Sequence, residues 1–274
     1  MSSLVRAASA ASRIGSGVPG GVGRAHLLVE RNVRAGRHGW LTLLSGFLEP
    51  VFYLFSLGIG LGALVGPVEV GNGVSVSYQE FVAPALLAAS AMNGAIFDSS
   101  YNVFWKLHYA RLYDIVLATP LGVRDVAVGE VTWALIRGAG YAASFLIVAL
   151  VAGVVTSWWA VLALPAALLI GLAFAGVGLA TATLMRSWQD FDMLQLVMLP
   201  LFLFSATFYP LSTYPEGWQW VVRATPLYQG VALVRELMLG MPGPSALGHA
   251  CYLVLLGLAG ALVAGRRMSG MLLR

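Results

Sequence analysis

Six apolar runs of about spanning length divide this chain, and nearly all its basic residues fall in alternate gaps between them. A helix crosses the hydrocarbon core of a bilayer with about 20 mostly apolar residues at about 1.5 Å rise. Runs bounded by charge, Pro or Gly clusters meet that need over residues 41–64, 81–100, 133–155, 159–185, 193–208 and 247–265. The fifth, with 16 residues, either tilts little or continues into non-helical structure sheltered within the bundle. With the N-terminus on the cytoplasmic side, thirteen of the 16 Lys and Arg residues collect inside: Arg6, Arg13, Arg24, Arg31, Arg34, Arg37, Lys106, Arg111, Arg124, Arg186, Arg266, Arg267 and Arg274. Only Arg223 and Arg235 fall outside, and Arg137 lies within a span. This asymmetry places both ends in the cytoplasm and requires an even number of spans.

The remaining composition narrows the function. With 59% hydrophobic and 10% charged residues, the 274-residue chain is an all-α membrane protein whose spans leave no room for a separate soluble domain. Residues 1–23 lack a continuous apolar core, so they read as a flexible N-terminal tail rather than a cleavable signal, and residues 24–274 as one transmembrane domain. The net charge of +4 is spread between apolar runs and marks topology, not a nucleic-acid surface. A phosphate-binding loop needs Gly-rich backbone leading to Lys and then Ser or Thr, whereas the single lysine, Lys106, is followed by Leu107. The histidines His26, His38, His108 and His249 have no zinc-ligand spacing, and the lone Cys251 excludes an internal disulfide or cysteine cluster. No catalytic constellation, cofactor or metal is therefore expected on this chain.

Several polar residues stand inside or beside the apolar runs. Glu49-Pro50 lies about 13 Å beyond Trp40 at helical rise, where an ionisable group must face protein or water and where Pro50 kinks the helix. It reads either as a polar contact or hinge near a dimer seam or pathway, or as a locally paired structural Glu. Glu130 and Arg137, seven residues apart, share a helix face at the start of the third run. Residues 138–155 already supply 18 apolar positions, so Arg137 is expected to snorkel to the inner surface. Asp98, with Asn93, Ser99 and Ser100, makes a polar inner end for the second run.

Three segments between runs carry further signals. Residues 24–40 mix Leu27, Leu28, Val29 and Val33 with Arg24, Arg31, Arg34 and Arg37, the pattern of an amphipathic helix in the inner interface or of a solvated basic leader. The inner connection over residues 101–128 interleaves Trp105, Lys106, Tyr109, Arg111, Tyr113 and Asp114 in a short helical stretch ended by Pro120, a surface fit for a protein partner or for the membrane surface. The outer segment, residues 209–245, holds Pro210, Pro215, Pro226, Pro242 and Pro244, aromatics, and an apolar stretch too short to cross. It reads as short half-spanning or interfacial helices forming an outer lid. Tyr53, Phe55, Phe202 and Phe204 are candidates to line a substrate path at the seam, or to face lipid or core.

Ordered motifs add a likeness. The string EPVFYLFSLGIGLG over residues 49–62, YDIVLATP over 113–120 followed by Gly129-Glu130, and FYPLSTYP over 208–215 followed by Thr225-Pro226-Leu227 and Arg235 stand at matching places in the topology. In these the chain resembles the type-2 ABC transporter permeases, in the branch of NodJ-like lipo-oligosaccharide and daunorubicin-type drug exporters, over about residues 24–274. Tyr214 stands where that pattern usually has Leu. The resemblance implies a half-transporter that dimerises, with a second copy favoured, and pairs with two ABC ATPase subunits that bind ATP and Mg. It implies an ATPase-coupling helix over residues 105–119, re-entrant outer helices over 209–241 with Phe208, Pro210, Tyr214, Pro215, Pro226 and Arg235 as gate residues, and an interfacial helix over 24–40. The implied activity is export of a glycolipid, lipo-oligosaccharide or hydrophobic drug across the bacterial plasma membrane. A non-transporting scaffold or accessory subunit is the rival expectation.

Overall fold

The computed structural model describes residues 24–36, 40–70 and 74–272. These form a helical bundle with one two-residue antiparallel ribbon, β1 (Val68–Glu69) paired with β2 (Ser75–Val76). The helices in chain order are α1 (Ala25–Gly36), α2 (Trp40–Gly60), the one-turn α3 (Gly62–Val65), α4 (Tyr78–Ile96), α5 (Val103–His108), α6 (Leu112–Leu117), α7 (Val123–Val151), α8 (Ala163–Ala182), α9 (Asp190–Leu203), α10 (Glu216–Ala224), α11 (Pro226–Met238) and α12 (Pro244–Leu272). A π-helical segment, Phe97–Asn102, welds α4 to α5, so one rod runs from Tyr78 to His108. Among the described residues, four helices are long and apolar enough to cross a membrane: Tyr78–His108, Val123–Val151, Trp158–Ala182 and Pro244–Met271, with Pro50–Val65 a shorter apolar helix.

Each boundary has a local cause. Ser77 caps α4 by accepting from Glu80 N at 3.3 Å, while the Glu80 carboxylate accepts from Ser77 N at 2.8 Å, a reciprocal capping box that satisfies two free donors. Asp190 accepts from Arg186 N at 2.7 Å and Ser187 N at 3.1 Å, and these bonds hold its carboxyl below its usual range. The helix α9 stops at 14 residues, about 21 Å at helical rise, too short for a full crossing. The chain then bends through Ser205, Ala206 and Thr207, all buried. Ser205 and Thr207 hydroxyls donate to Leu201 O and Phe202 O at 2.5 and 2.8 Å, so the last carbonyls of α9 are satisfied inside the protein.

Helix α8 sits at the centre, packed on α4, α7, α11 and α12. It is rich in Ala and Gly, and the backbones meet: a Cβ on Gly176 would lie 2.4 Å from Gly257 O, and one on Gly260 would lie 2.4 Å from the Gly176 carbonyl carbon. Between lipid-facing helices such small-residue contact supplies the van der Waals packing that water would otherwise drive. The α1 helix lays Ala25, Leu28 and Asn32 on α7, where Gly129 leaves room for Leu28, and exposes Leu27, Val33, Arg31 and Arg34.

The structure moves two of the expected boundaries. The third run does not begin at Trp133: α7 starts at Val123 and ends at Val151, where a turn with Gly153 at φ 72° follows. Only 14 residues of α7 lie beyond Arg137, about 21 Å, so Arg137 occupies the middle of the helix and the expected snorkelling is replaced by a partner described below. The second run does not stop at Ser100, because the π-helical segment carries the rod on to His108 and places Trp105 and Lys106 on it rather than in a loop. Residues 1–23, read as a tail, lie outside the described residues, as do Arg37 to Gly39 and the Glu49 side chain.

Candidate functional site

A cleft of about 490 Å³ opens between α2, α4, α7 and α9. Apolar Pro50, Leu86, Ala89, Met198 and Leu199 share its wall with Ser90, Asn93, Tyr141 and Gln195. Asp98 and Arg137 close one side: an Arg137 Nη2 donates to Asp98 Oδ1, and both side chains are about 15% exposed. Arg137 also lies 5.6 Å from the Trp133 ring centroid. Asp98 Oδ2 and Arg137 Nε are buried without partners among the described residues, so the pair retains an unused acceptor and an unused donor. The polar groups in an otherwise apolar wall suit a ligand with both apolar and hydrogen-bonding parts. A second cleft of about 400 Å³ shares Asn93, Phe97, Gln195 and Met198 with the first and continues to Tyr101, Trp188 and Phe191, whose rings meet at 4.8 to 5.6 Å.

A second ion pair joins the same two rods. Lys106 Nζ donates to both Glu130 oxygens at 2.7 and 2.9 Å, and Tyr113 Oη donates to Glu130 Oε1 at 3.2 Å. Glu130 and Arg137, seven residues apart on α7, project about 20° from each other, whereas Asp98 and Lys106, eight apart, would diverge by about 80° on a regular α-helix. The π-helical segment between them takes up one extra residue, which returns Lys106 to the face of Asp98. Ser99 and Ser100 satisfy carbonyls there, donating to Ala95 O at 2.6 Å and Ile96 O at 2.5 Å. Gly178 of α8 admits the Ser99 side chain, since a Cβ at 178 would sit 2.0 Å from Ser99 Oγ.

The expected partner-facing residues divide into two groups. Trp105, Tyr109, Arg111 and Asp114 are exposed at the end of the rod and on α6, with Trp105 stacked on Tyr109 at 5.1 Å. Arg111 precedes α6 with φ 43°, a left-handed conformation rare for a residue with a side chain. The continuous helix expected over residues 105–119 is thus broken at Tyr109 to Arg111. Lys106 and Tyr113 turn inward to Glu130, and Tyr113 is 1% exposed. Burial, followed by the nearby Glu130 charge, pushes the Tyr113 phenol well above its ordinary value.

The remaining expectations distribute over both clefts and the far end of the bundle. Tyr53 and Phe202 line the main cleft with Pro50, while Phe55 and Phe204 are exposed outside it. Of the gate set, Pro215 is exposed, Phe208, Pro210 and Pro226 are half-buried, and Tyr214 is buried, which pushes its phenol up. Arg235, counted as an outer loop charge, is a staple: its Nε donates to Phe81 O at 3.3 Å and Nη2 to Ala206 O at 2.9 Å. The apolar stretch around it buries Val231, Val234, Leu237 and Met238 in the core. Ser90, Tyr141 and Gln195 carry no mark in the sequence, and Asp98 and Asn93 stand there only as part of a polar end. The available signal was complementary order: an acid then a base on one run, and an acid then a base at nearly equal spacing on the antiparallel next.

Comparison with known proteins agrees with this architecture. Residues 25–239 match the family model described as ABC-2 type transporter. The chain is 37% identical over 228 residues to Nodulation protein J of Rhizobium leguminosarum bv. trifolii, covering 82% of this chain and 85% of that one. It is 33% identical over 203 residues to Nodulation protein J of Rhizobium meliloti (strain 1021), covering 73% and 75% of the two chains.

Proposed function

The chain belongs to the ABC-2 type transporter family, and on that premise we propose that it is the permease half of an ATP-driven exporter moving an amphiphile outward. It is a multi-pass protein of the bacterial cytoplasmic membrane, and permeases of this family work with an ABC ATPase. In our reading, six segments cross the bilayer, namely α2, α4, α7, α8, α12 and α9 completed by the sheltered bend at Ser205 to Thr207, with both termini cytoplasmic. The bend after α9 and the short helices α10 and α11 re-enter from the outer face. ATP and Mg bind the partner subunits, two ATPase copies serve two permease halves, and the second half is another copy of this chain. Residues 24–274 act as one domain.

The observation that carries this reading is the cleft with the Asp98–Arg137 pair in its wall. A charged pair at the middle of α7 is costly in lipid and belongs beside protein or a water-filled path. The main cleft and the aromatic cleft sharing its wall give apolar and polar contacts to one elongated molecule, which fits a glycolipid, lipo-oligosaccharide or ring-bearing drug. Nucleotide-driven closure of the ATPases moves the exposed Trp105, Tyr109, Arg111 and Asp114 surface, and the rod transmits that movement to Asp98. The test is co-purification with the partner ATPase. Arg111→Glu and Asp114→Lys are expected to cut complex yield and ATP turnover at least about fivefold, with the folded permease recovered in normal amount. Unchanged yield and turnover in both variants would refute this coupling surface.

A further inference from the structure

Arg235 carries a positive charge that no carboxylate among the described residues answers within ion-pair distance. Two of its nitrogens serve backbone carbonyls, and its guanidinium lies 4.0 Å from the Phe81 ring centroid. Among the described residues the remaining Nη1 has no acceptor, and it is not sealed off. Arg235 lines a cleft of about 300 Å³, between the first turns of α4, the bend before α10, and α11.

The next residue, Glu236, lines the same cleft with the opposite deficit. Its Oε1 accepts from Ser245 Oγ at 2.7 Å and lies 3.7 Å from His249 Nε2, but Oε2 is buried with no partner among the described residues. Successive residues on α11 thus bring opposite charges to one cavity without pairing. An unpaired buried charge is costly, and more so beside lipid. A simple anion would answer Arg235 and be repelled by Glu236 and by Glu69 on the rim; a simple cation would meet the reverse. One ligand carrying both charges satisfies both residues.

We propose that this cleft holds the headgroup of a zwitterionic aminophospholipid, its phosphate on Arg235 and its ammonium on Glu236. Tyr228 and Ser212 line the same cavity. The volume is at the small end for a ligand site, as suits a headgroup whose chains remain outside. The lipid source follows from placement, because α10 nearby exposes Trp218 and Trp220, side chains that settle at membrane–water interfaces. Neither transport direction nor ATPase coupling enters this assignment.

The test is native mass spectrometry and thermal unfolding of the purified full chain, titrated separately with dioleoyl phosphatidylethanolamine, dioleoyl phosphatidylglycerol and soluble phosphoethanolamine. The ethanolamine lipid is expected to bind about tenfold tighter than the glycerol lipid, the scale of one charge-assisted hydrogen bond. The soluble headgroup alone should bind far more weakly. Arg235→Gln also removes the carbonyl staple, so Glu236→Gln carries the decision: it should erase the preference, weakening ethanolamine-lipid binding and leaving glycerol-lipid binding equal or tighter, while helical content stays unchanged. Equal binding of the two lipids, an intact tenfold preference in Glu236→Gln, or soluble phosphoethanolamine binding as tightly as the lipid would each overturn the proposal.

Discussion

Arg137 donates to Asp98 from the midpoint of α7, with 14 residues of that helix on either side. Eight residues further along the opposing rod the polarity reverses, and Lys106 donates to Glu130. The two pairs fix the register of the rods at two points and place charge beside the main cleft.

Breaking the first pair should be costly, because the surviving charge stays largely buried at the middle of α7. Arg137→Met and Asp98→Leu are each expected to lose about 3–5 kcal/mol. The double variant Asp98→Leu/Arg137→Met should recover most of that loss. Unfolding in detergent micelles, analysed as a double-mutant cycle, measures the coupling. Additive single losses would show that the pair does not form.

The π-helical segment predicts a register effect. Deleting Ser100 shortens it by one residue and should turn Lys106 about 100° away from Glu130, leaving Asp98 on Arg137. In that background Lys106→Ala should cost nothing further, whereas in the intact chain it should cost on the order of 3–5 kcal/mol. An equal cost in both backgrounds would contradict the role given to the segment.

Two glycines separate close packing from mere flexibility. Gly176→Ala forces a Cβ against the Gly257 carbonyl and should destabilise the chain by about 1–3 kcal/mol. Gly138 has no atom within 4 Å of an added Cβ, so Gly138→Ala should be neutral or stabilising by under about 1 kcal/mol. Thermal denaturation of the two variants side by side checks the contrast.

Tyr113 gives a pH signature. Burial and the Glu130 charge raise its phenol well above the ordinary value of 10.0. A group whose folded value is raised contributes stability that is fully present below its unfolded value and is lost as pH rises past it. Stability should therefore fall above about pH 10, and Tyr113→Phe should show a shallower alkaline loss. Unfolding curves measured between pH 8 and pH 11, in buffers of about constant ionic strength, would detect the difference.

All six apolar runs are largely helical and four lie in helices long enough to cross a membrane, because hydrophobic length is a local property that the chain displays openly. What escaped was set by distant partners. The acids and bases of α7 looked like the edge of a span because their answering charges sit 39 and 24 residues away, on the preceding rod. The π-helical turn that aligns those charges has no composition of its own, since Ser99 and Ser100 read as a polar helix end. Arg235 resembled a loop charge for the same reason: its acceptors are backbone carbonyls of Phe81 and Ala206, which a side-chain pattern cannot announce. The exposure of Trp105, Tyr109, Arg111 and Asp114 was legible from their aromatic and charged mixture, but the inward turn of Lys106 and Tyr113 depends on Glu130.

If the main cleft is the path of the exported amphiphile, as we propose, blocking it must stop transport. Ser90 lines that cleft from α4 and takes no part in either ion pair. The decisive measurement is ATP-dependent outward movement of a fluorescent glycolipid in proteoliposomes holding the permease and its ATPase, comparing the native chain with Ser90→Trp. Filling the cleft should lower the rate at least about tenfold while ATPase binding is retained. Transport by Ser90→Trp at the native rate would contradict the account.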